Sequence, residues 1–168
     1  MNVAWQKRCK QQFNEFRMGA LHSWFQKIGW EGEGVRFEEA SLVAFEPYFF
    51  LHIRPNALFE ESLPFVFLLG ETLIRQHEEI RWDFRFIQNK IGEGVLLRIN
   101  MSDTQRLYVH PFLFLQDCAK TGQSYLTFYH QLDSLLQKRK KTRGTIEGSP
   151  EWLWLEVIPS EMEFQKIG

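Results

Sequence analysis

An apolar stretch at residues 62–86, SLPFVFLLGETLIRQHEEIRWDFRF, constrains the fold of this chain more than any other segment. Apolar residues recur at three- and four-residue steps as far as His77, which is the period of a helix. The first turns are apolar on every side, so that part of the helix must be buried all round. Aromatic and charged residues then alternate over residues 82–86, as in a half-buried strand. The sequence therefore predicts a central helix that leads directly into a strand.

The start of this central helix has two interpretations. Ser62 is a suitable N-cap residue, and Pro64 is tolerated in a first turn because the amides there have no partner within the helix. Alternatively, the helix begins as early as Ala57 and bends at Pro64. Both interpretations keep Gly70 in the middle of the apolar face, where a glycine costs about 1 kcal/mol relative to alanine. We expect close approach of another backbone to compensate for that cost.

Glu71 lies at the edge of the same apolar face and has two interpretations of its own. The first is a structural ion pair with Arg75, one helical turn later, or with Arg81 or Arg85 of the strand. The second is functional, with Glu71 as a partly buried acid of raised pKa. Ion pairs within helices are far commoner than catalytic acids, so the sequence favours the structural interpretation.

The composition indicates a folded soluble protein rather than a disordered chain. Hydrophobic residues make up 44% of the 168 residues, and 16 residues are phenylalanine. A chain of this length fits a single domain, residues 1–168, and we expect residues 159–168 to be a loosely held tail. The formal net charge of −1 gives no general attraction to nucleic acid or to an anionic membrane. Two cysteines, with no signal peptide and no apolar run that spans a bilayer, predict a cytoplasmic location.

The rest of the chain alternates helix and strand patterns with glycine-containing turns. Helical periodicity covers residues 2–28 and is clear again from Ser124. Residues 41–53 fit either a short helix disturbed by Pro47 or an extended segment. The other predicted elements are a strand at residues 95–101 that forms a hairpin with the first strand, strands at residues 107–110 and 152–158, and a short helix at residues 111–119. These elements predict an α+β fold in which three or four helices pack on a small, mostly antiparallel sheet.

No sequence motif indicates an assembled catalytic or cofactor site. The chain lacks a glycine-rich phosphate loop, a nucleophile elbow and a paired-histidine metal motif. Its five histidines are scattered, and neither cysteine has metal-ligand spacing. We therefore predict no metal and no cofactor. The enzymatic alternative is a small hydrolase or ligand-binding enzyme, which requires Glu71, His77 and His110 to converge on a cleft.

Aromatic residues are more numerous than a small core easily hides. Exposed aromatic side chains favour protein interfaces, so the surplus has two interpretations, a partner surface or aromatic residues packed within the fold. The candidate binding residues are Trp30, Tyr48, Phe50, Trp152 and Trp154.

A basic run at residues 138–143 contains five positive charges in six residues. It fits the C-terminus of a helix, where cations complement the helix dipole, followed by a solvated loop. RNA binding is the competing hypothesis, but no stacking aromatic residues are interleaved with these charges.

Four short segments follow one another in a recognisable order. They are LGETLIR at residues 69–75, Trp82 at the start of a strand, His110 with Pro111 and Phe112, and SYLTFYHQL at residues 124–132. This order resembles that of small uncharacterised bacterial proteins in which a helix with a Gly-Glu pair leads to a Trp-bearing strand. The resemblance implies that Gly70, Glu71 and Trp82 form a shared core feature. It also implies an accessory or immunity-type partner protein encoded near a toxin.

The leading hypothesis is a non-catalytic cytoplasmic module that binds a protein, either as a bacterial immunity or regulatory partner or by forming a homo-oligomer. It rests on clear folding signals, on the lack of a catalytic motif and on the aromatic surplus. Within that hypothesis Gly70, Glu71, Arg75 and Trp82 have structural roles. Neither nucleic acid nor a membrane is the expected partner.

Overall fold

The structure, a computed structural model, describes residues 3–32, 34–55, 57, 59–84, 95–139 and 153–157. Its helices and its antiparallel sheet confirm the predicted α+β fold. The helices are α1 (Val3–Glu15), α2 (Leu21–Lys27), α3 (Glu39–His52), α4 (Phe59–Gln76), α5 (Pro111–Thr121) and α6 (Leu126–Arg139). The strands are β1 (Ile80–Phe84), β2 (Val95–Asn100), β3 (Gln105–Val109) and β4 (Leu153–Val157). Within the described ranges, no helix has the length and apolar character needed to cross a bilayer.

The strands form one antiparallel sheet in the order β1-β2-β3-β4. β2 lies between β1 and β3, and its Leu97 is opposite both Trp82 and Val109. β4 pairs with the other side of β3, where Trp154 is opposite Tyr108. The pairing of β1 with β2 confirms the predicted antiparallel pair, and the connecting residues 85–94 lie outside the described part of the chain.

Helix α4 is buried at the centre of the fold, as the sequence predicts. Residues 62–73 are all buried, so the helix is enclosed on every side over this length. The Ser62 N-cap interpretation is wrong, because the helix begins at Phe59 and Ser62 lies inside it. Glu60 and Glu61 occupy the first turn instead, where carboxylates interact favourably with the helix dipole.

Aromatic rings from several elements enclose α4. Phe65 packs against Phe25 of α2 and Phe49 of α3, with ring centroids 5.4 and 5.3 Å away. On another side of the helix, Phe67 lies 4.9 Å from Phe13 of α1. Such edge-on and tilted contacts are favourable beyond the apolar area that they bury. Much of the aromatic surplus in the sequence is therefore core around this helix.

The N-terminal helix is interrupted, which corrects the prediction of one helix over residues 2–28. α1 ends at Glu15, and a π-helical segment (Phe16–Ala20) connects it to α2. Gly19 in this segment has a φ of 118°, in the left-handed region that glycine adopts without the steric cost of a side chain. Buried residues continue at helical spacing before and after the kink, so the apolar pattern conceals it.

Helix α3 continues through Pro47, so the helical interpretation of residues 41–53 is correct as far as His52. A proline inside a helix removes one hydrogen bond and costs about 3 kcal/mol or more. Pro47 has no N–H to donate to the carbonyl of Val43, four residues earlier. Both residues are exposed, so this part of α3 lies on the solvent side of the helix. The opposite face anchors the helix through buried Leu42, Phe45 and Phe49.

Candidate functional site

Glu71 of α4 is a buried carboxylate that accepts hydrogen bonds from two other elements. Arg17 donates from Nε to Oε1 at 2.8 Å and from Nη2 to Oε2 at 3.1 Å, a bidentate arrangement. Trp82 of β1 donates from Nε1 to Oε2 at 2.9 Å. Arg75 lies farther away, with its Nε 3.8 Å from Oε1. Glu71 therefore links the π-helical segment, the central helix and the sheet.

The surroundings of Glu71 favour its ionised form. Burial raises the pKa of this carboxyl group. The hydrogen bonds from Arg17 and Trp82 and the charges of Arg17 and Arg75 lower it, and together they outweigh burial, so the pKa lies below its ordinary value. A catalytic acid needs a raised pKa close to the working pH. The shift is therefore opposite to the one that the functional interpretation requires, and the structural interpretation is the one supported.

The principal cation beside Glu71 is not one that the sequence suggested. Arg17 lies 54 residues earlier in the chain, in the π-helical segment. Arg81 instead donates to the backbone carbonyls of Glu78 and Ile80, and Arg85 lies outside the described residues. Sequence spacing identifies partners within one helix, whereas tertiary packing supplies Arg17. No local pattern marks it in advance.

Gly70 makes room for a side chain and not for another backbone, which corrects that part of the prediction. A Cβ atom built on Gly70 would lie 2.1 Å from Cη2 of Trp82. The indole ring therefore lies directly on the backbone of α4, where its Nε1 reaches the neighbouring Glu71. Phe13 packs on the same ring, with centroids 4.7 Å apart.

The outward surface of α3 is the candidate functional site. Its exposed residues recur at helical spacing and are all apolar up to Leu51: Ala40, Val43, Pro47, Phe50 and Leu51. We call this set the α3 face. Val43 is 52% exposed, Phe50 39% and Leu51 77%. The solvent side of a helix in a globular protein normally carries polar and charged residues. Exposed apolar patches are commoner at interaction sites than elsewhere on a protein surface, which makes this face the candidate.

The acidic edge of α3 is already engaged by the neighbouring helix α6 and the segment before it. An Oε1 atom of Glu39 lies 3.1 Å from Nε2 of His130. Glu46 accepts a hydrogen bond from the hydroxyl group of Ser124. These contacts turn both carboxylates towards α6, and the α3 face beside them remains apolar.

The predicted binding aromatics have different environments. Phe50 belongs to the α3 face. Trp30 and Tyr48 are half-buried and lie beside each other, with ring centroids 6.0 Å apart, so they help to pack the loop after α2 against α3. Trp154 lies in β4, where only backbone pairing is described, and Trp152 lies outside the described residues.

The residues of the enzymatic alternative have separate interactions. The carboxylate of Glu71 is held as described above. Nε2 of His77 lies 3.1 Å from Oδ1 of Asp133 in α6. His110 is fully buried and caps α5, where its Nδ1 accepts the N–H of Leu113 at 3.3 Å. None of these interactions joins Glu71, His77 or His110 to another of the three, so the enzymatic alternative stays a prediction without support from them.

Thiol and metal-ligating groups suggest no other reactive centre among the described residues. In that part of the chain, no group of three or more His, Cys, Asp or Glu side chains is arranged to hold a metal ion. Cys9 and Cys118 are buried free thiols. Burial raises the pKa of both, that of Cys118 to about 12, which makes them poor nucleophiles. The basic run begins at the end of α6, and residues 140–143 lie outside the described ranges.

Comparisons with protein-family models, with curated proteins and with solved structures gave no match for this chain. The resemblance to small bacterial proteins therefore stays a hypothesis that rests on the segments quoted for it.

Sequence reasoning missed Val43, Pro47 and Leu51 as site residues. The sequence did contain a signal for them, because α3 is apolar on both sides. Only one side of such a helix can pack against the core, so the other apolar side stays outside it. The second interpretation of residues 41–53, as an extended segment, hid this signal, because in a strand Phe50 would lie on the opposite face from Val43, Pro47 and Leu51.

Proposed function

We propose that this protein is a non-catalytic module that binds another protein through the α3 face. The observation that carries the proposal is the exposure of Leu51, at 77%, beside Val43 and Phe50 on a helix surface without charge. Single exposed leucines are ordinary, whereas contiguous apolar surface on one helix favours an interface. Helical recognition uses anchor residues three, four and seven positions apart, and this is the spacing of the α3 face.

The support beneath the α3 face favours the proposal. Phe49, on the opposite side of the helix, is fully buried against Phe65 of the central helix. The buried hydroxyl group of Tyr125 donates to the carbonyl oxygen of Leu42. A helix held in this way presents its outer side chains with little further loss of conformational entropy, which benefits affinity.

The chemistry of the polar groups also favours binding over catalysis. Glu71 is ionised and fully engaged, and the two thiols are buried with raised pKa values. A cytoplasmic role as an immunity or regulatory partner is the finer proposal. It rests on the two unpaired thiols and on the resemblance to small bacterial proteins.

The proposal is tested by native mass measurement and by affinity capture from the cells that produce the protein. Leu51→Lys places a charge in the α3 face, and we expect it to weaken association by roughly tenfold or more, since charged residues are depleted from interface cores. Met18→Lys is the matched control, because Met18 is the more exposed side chain, at 87%, and lies outside the α3 face. Neither change removes buried surface, so both variants should melt like the wild type. The proposal fails if the wild-type protein neither self-associates nor retains any partner, or if both variants behave alike.

A further inference from the structure

We infer that the partner of the α3 face is a second copy of this chain, paired antiparallel about a twofold axis at Pro47. This inference rests on the proposed function, because it assigns an occupant to the same surface. A twofold interface must be complementary to itself when one copy is reversed. The α3 face meets this requirement in size and in charge.

The size pattern of the α3 face fits antiparallel pairing. Reversal about Pro47 sets Leu51 of one copy opposite Val43 of the other. It also sets Phe50 level with Ala44, a half-buried residue at the edge of the α3 face. Large side chains then lie against small ones, as close packing of two helices requires. A parallel pair would set Leu51 against Leu51 and Phe50 against Phe50. That arrangement would leave the other end, with its small side chains, poorly filled.

The charges at the two ends of the α3 face are opposite. Glu38 and Glu39 lie at the N-terminal end, with Arg36 just before them, and Arg54 lies beyond the C-terminal end after His52. Antiparallel pairing places Arg54 of each copy beside the acidic end of the other. It also sets the two helix dipoles in opposite directions, whereas a parallel pair would set like ends together.

The middle of the interface stays free of buried charge. Glu46 is the carboxylate of α3 nearest to Pro47, and it lies at the edge of the helix. The hydrogen bond from Ser124 directs its carboxylate towards the segment before α6. Each Glu46 would therefore lie beside the pair of helices and not between them, which avoids the cost of desolvating an unpaired charge.

Sedimentation equilibrium of the wild-type protein over a concentration series measures the dimer directly. We expect a monomer–dimer equilibrium, which Leu51→Lys shifts to the monomer with a Kd raised by roughly tenfold or more. Met18→Lys should leave that Kd unchanged. Unchanged far-ultraviolet circular dichroism confirms that both variants are folded.

Charge reversal tests the antiparallel arrangement itself. Arg54→Glu should weaken the dimer, because it faces the acidic end of the other copy. Adding Glu38→Lys in the same chain should restore dimerisation, since each reversed charge then meets its new opposite. Glu38 is preferred to Glu39 for this swap because Glu39 is engaged by His130. A second defect in place of rescue would overturn the antiparallel arrangement.

A cysteine at the proposed axis gives an independent test. Pro47→Cys places one thiol from each copy side by side, so a short bismaleimide should join two chains. Ala40→Cys is the control, since reversal sets position 40 opposite position 54 of the other copy, far from its own equivalent. Cys9 and Cys118 are buried and should contribute little background.

The outcomes separate this inference from the proposed function. A wild-type monomer at every concentration, with a captured protein that Leu51→Lys releases, would overturn the dimer and leave the binding role intact. A dimer that Leu51→Lys does not affect would overturn the assignment of the α3 face in both proposals. A dimer that Leu51→Lys dissociates, with cross-linking at position 47 only, supports both.

Discussion

Hydrogen-bond donors from two elements surround the buried carboxylate of Glu71. Glu71 is only 5% exposed, and Arg17 and Trp82 supply hydrogen bonds to both of its oxygen atoms. Transferring a charge from water to the protein interior costs free energy, and hydrogen bonds from donors on different elements offset part of that cost. The indole group also fills the space above Gly70, so one tryptophan gives both packing and a hydrogen bond.

At the residue scale, we expect Glu71→Gln to lower the free energy of unfolding by roughly 1–2 kcal/mol at neutral pH. Hydrogen bonds to charged groups contribute somewhat more than this, but a third of the Arg17 side chain is exposed, which reduces the effect. Urea unfolding followed by tryptophan fluorescence gives the value. Glu78→Gln is the control, because Glu78 is exposed.

The pH dependence of the same variant has a definite sign. The pKa of Glu71 is lower in the folded protein than its ordinary value of 4.5, so its contribution is complete above pH 4.5 and is lost as the pH falls through the folded-state value. The difference between wild type and Glu71→Gln should therefore be constant near neutrality and shrink below pH 4.5. Parallel stability curves down to acid pH would contradict the assigned role of Glu71.

At the element scale, the kink between α1 and α2 positions Arg17 for Glu71. The π-helical segment carries both Arg17 and the left-handed Gly19. Gly19 is not in a helical conformation, so the chain changes direction within this segment. Arg17 lies just before this change of direction, and its side chain reaches across to Glu71 of the central helix.

Replacing Gly19 with alanine tests the conformational cost of this kink. A Cβ atom at Gly19 meets nothing within 4 Å, so the expected loss, about 1–2 kcal/mol, comes from its positive φ alone. Gly34→Ala is the matched control, because Gly34 also has open space but no positive φ, and it should be neutral. Equal stability of the two variants in urea unfolding would show that the kink needs no glycine.

At the scale of the whole molecule, the rings around α4 connect the N-terminal helices to the rest of the core. Cys9 in α1 and Cys118 in α5 are buried in one hydrophobic cluster. Small domains with one continuous core usually unfold as a single cooperative unit. The two thiols therefore report on distant parts of the same cluster.

Thiol labelling tests this cooperativity. Burial raises the pKa of both thiols, that of Cys118 to about 12, so both should react more slowly at pH 8 in native protein than in urea, Cys118 by roughly a thousandfold. We expect Cys9 and Cys118 to be labelled at similar rates under slowly denaturing conditions, as followed by mass spectrometry. A much faster reaction of Cys9 would show that the N-terminal helices open independently, contrary to a single domain.

The sequence by itself determined the class of fold and most of its elements, because those depend on local periodicity. The apolar run of α4 shows its burial, and the alternation after it shows the strand, since each pattern repeats with the geometry of its backbone. The pairing of β1 with β2 also follows from their proximity in the chain. In each case the information lies within a window of about twenty residues or fewer.

Only the tertiary structure decided which partners meet across the chain. Arg17 reaches Glu71 from 54 residues away, and a side chain rather than a backbone lies on Gly70. The tertiary structure also decided which side of α3 faces water. Both sides are apolar, and Leu51 is exposed because the opposite side of the helix, with Phe49, packs into the core. These outcomes depend on how all the elements pack together, and no local pattern contains that information.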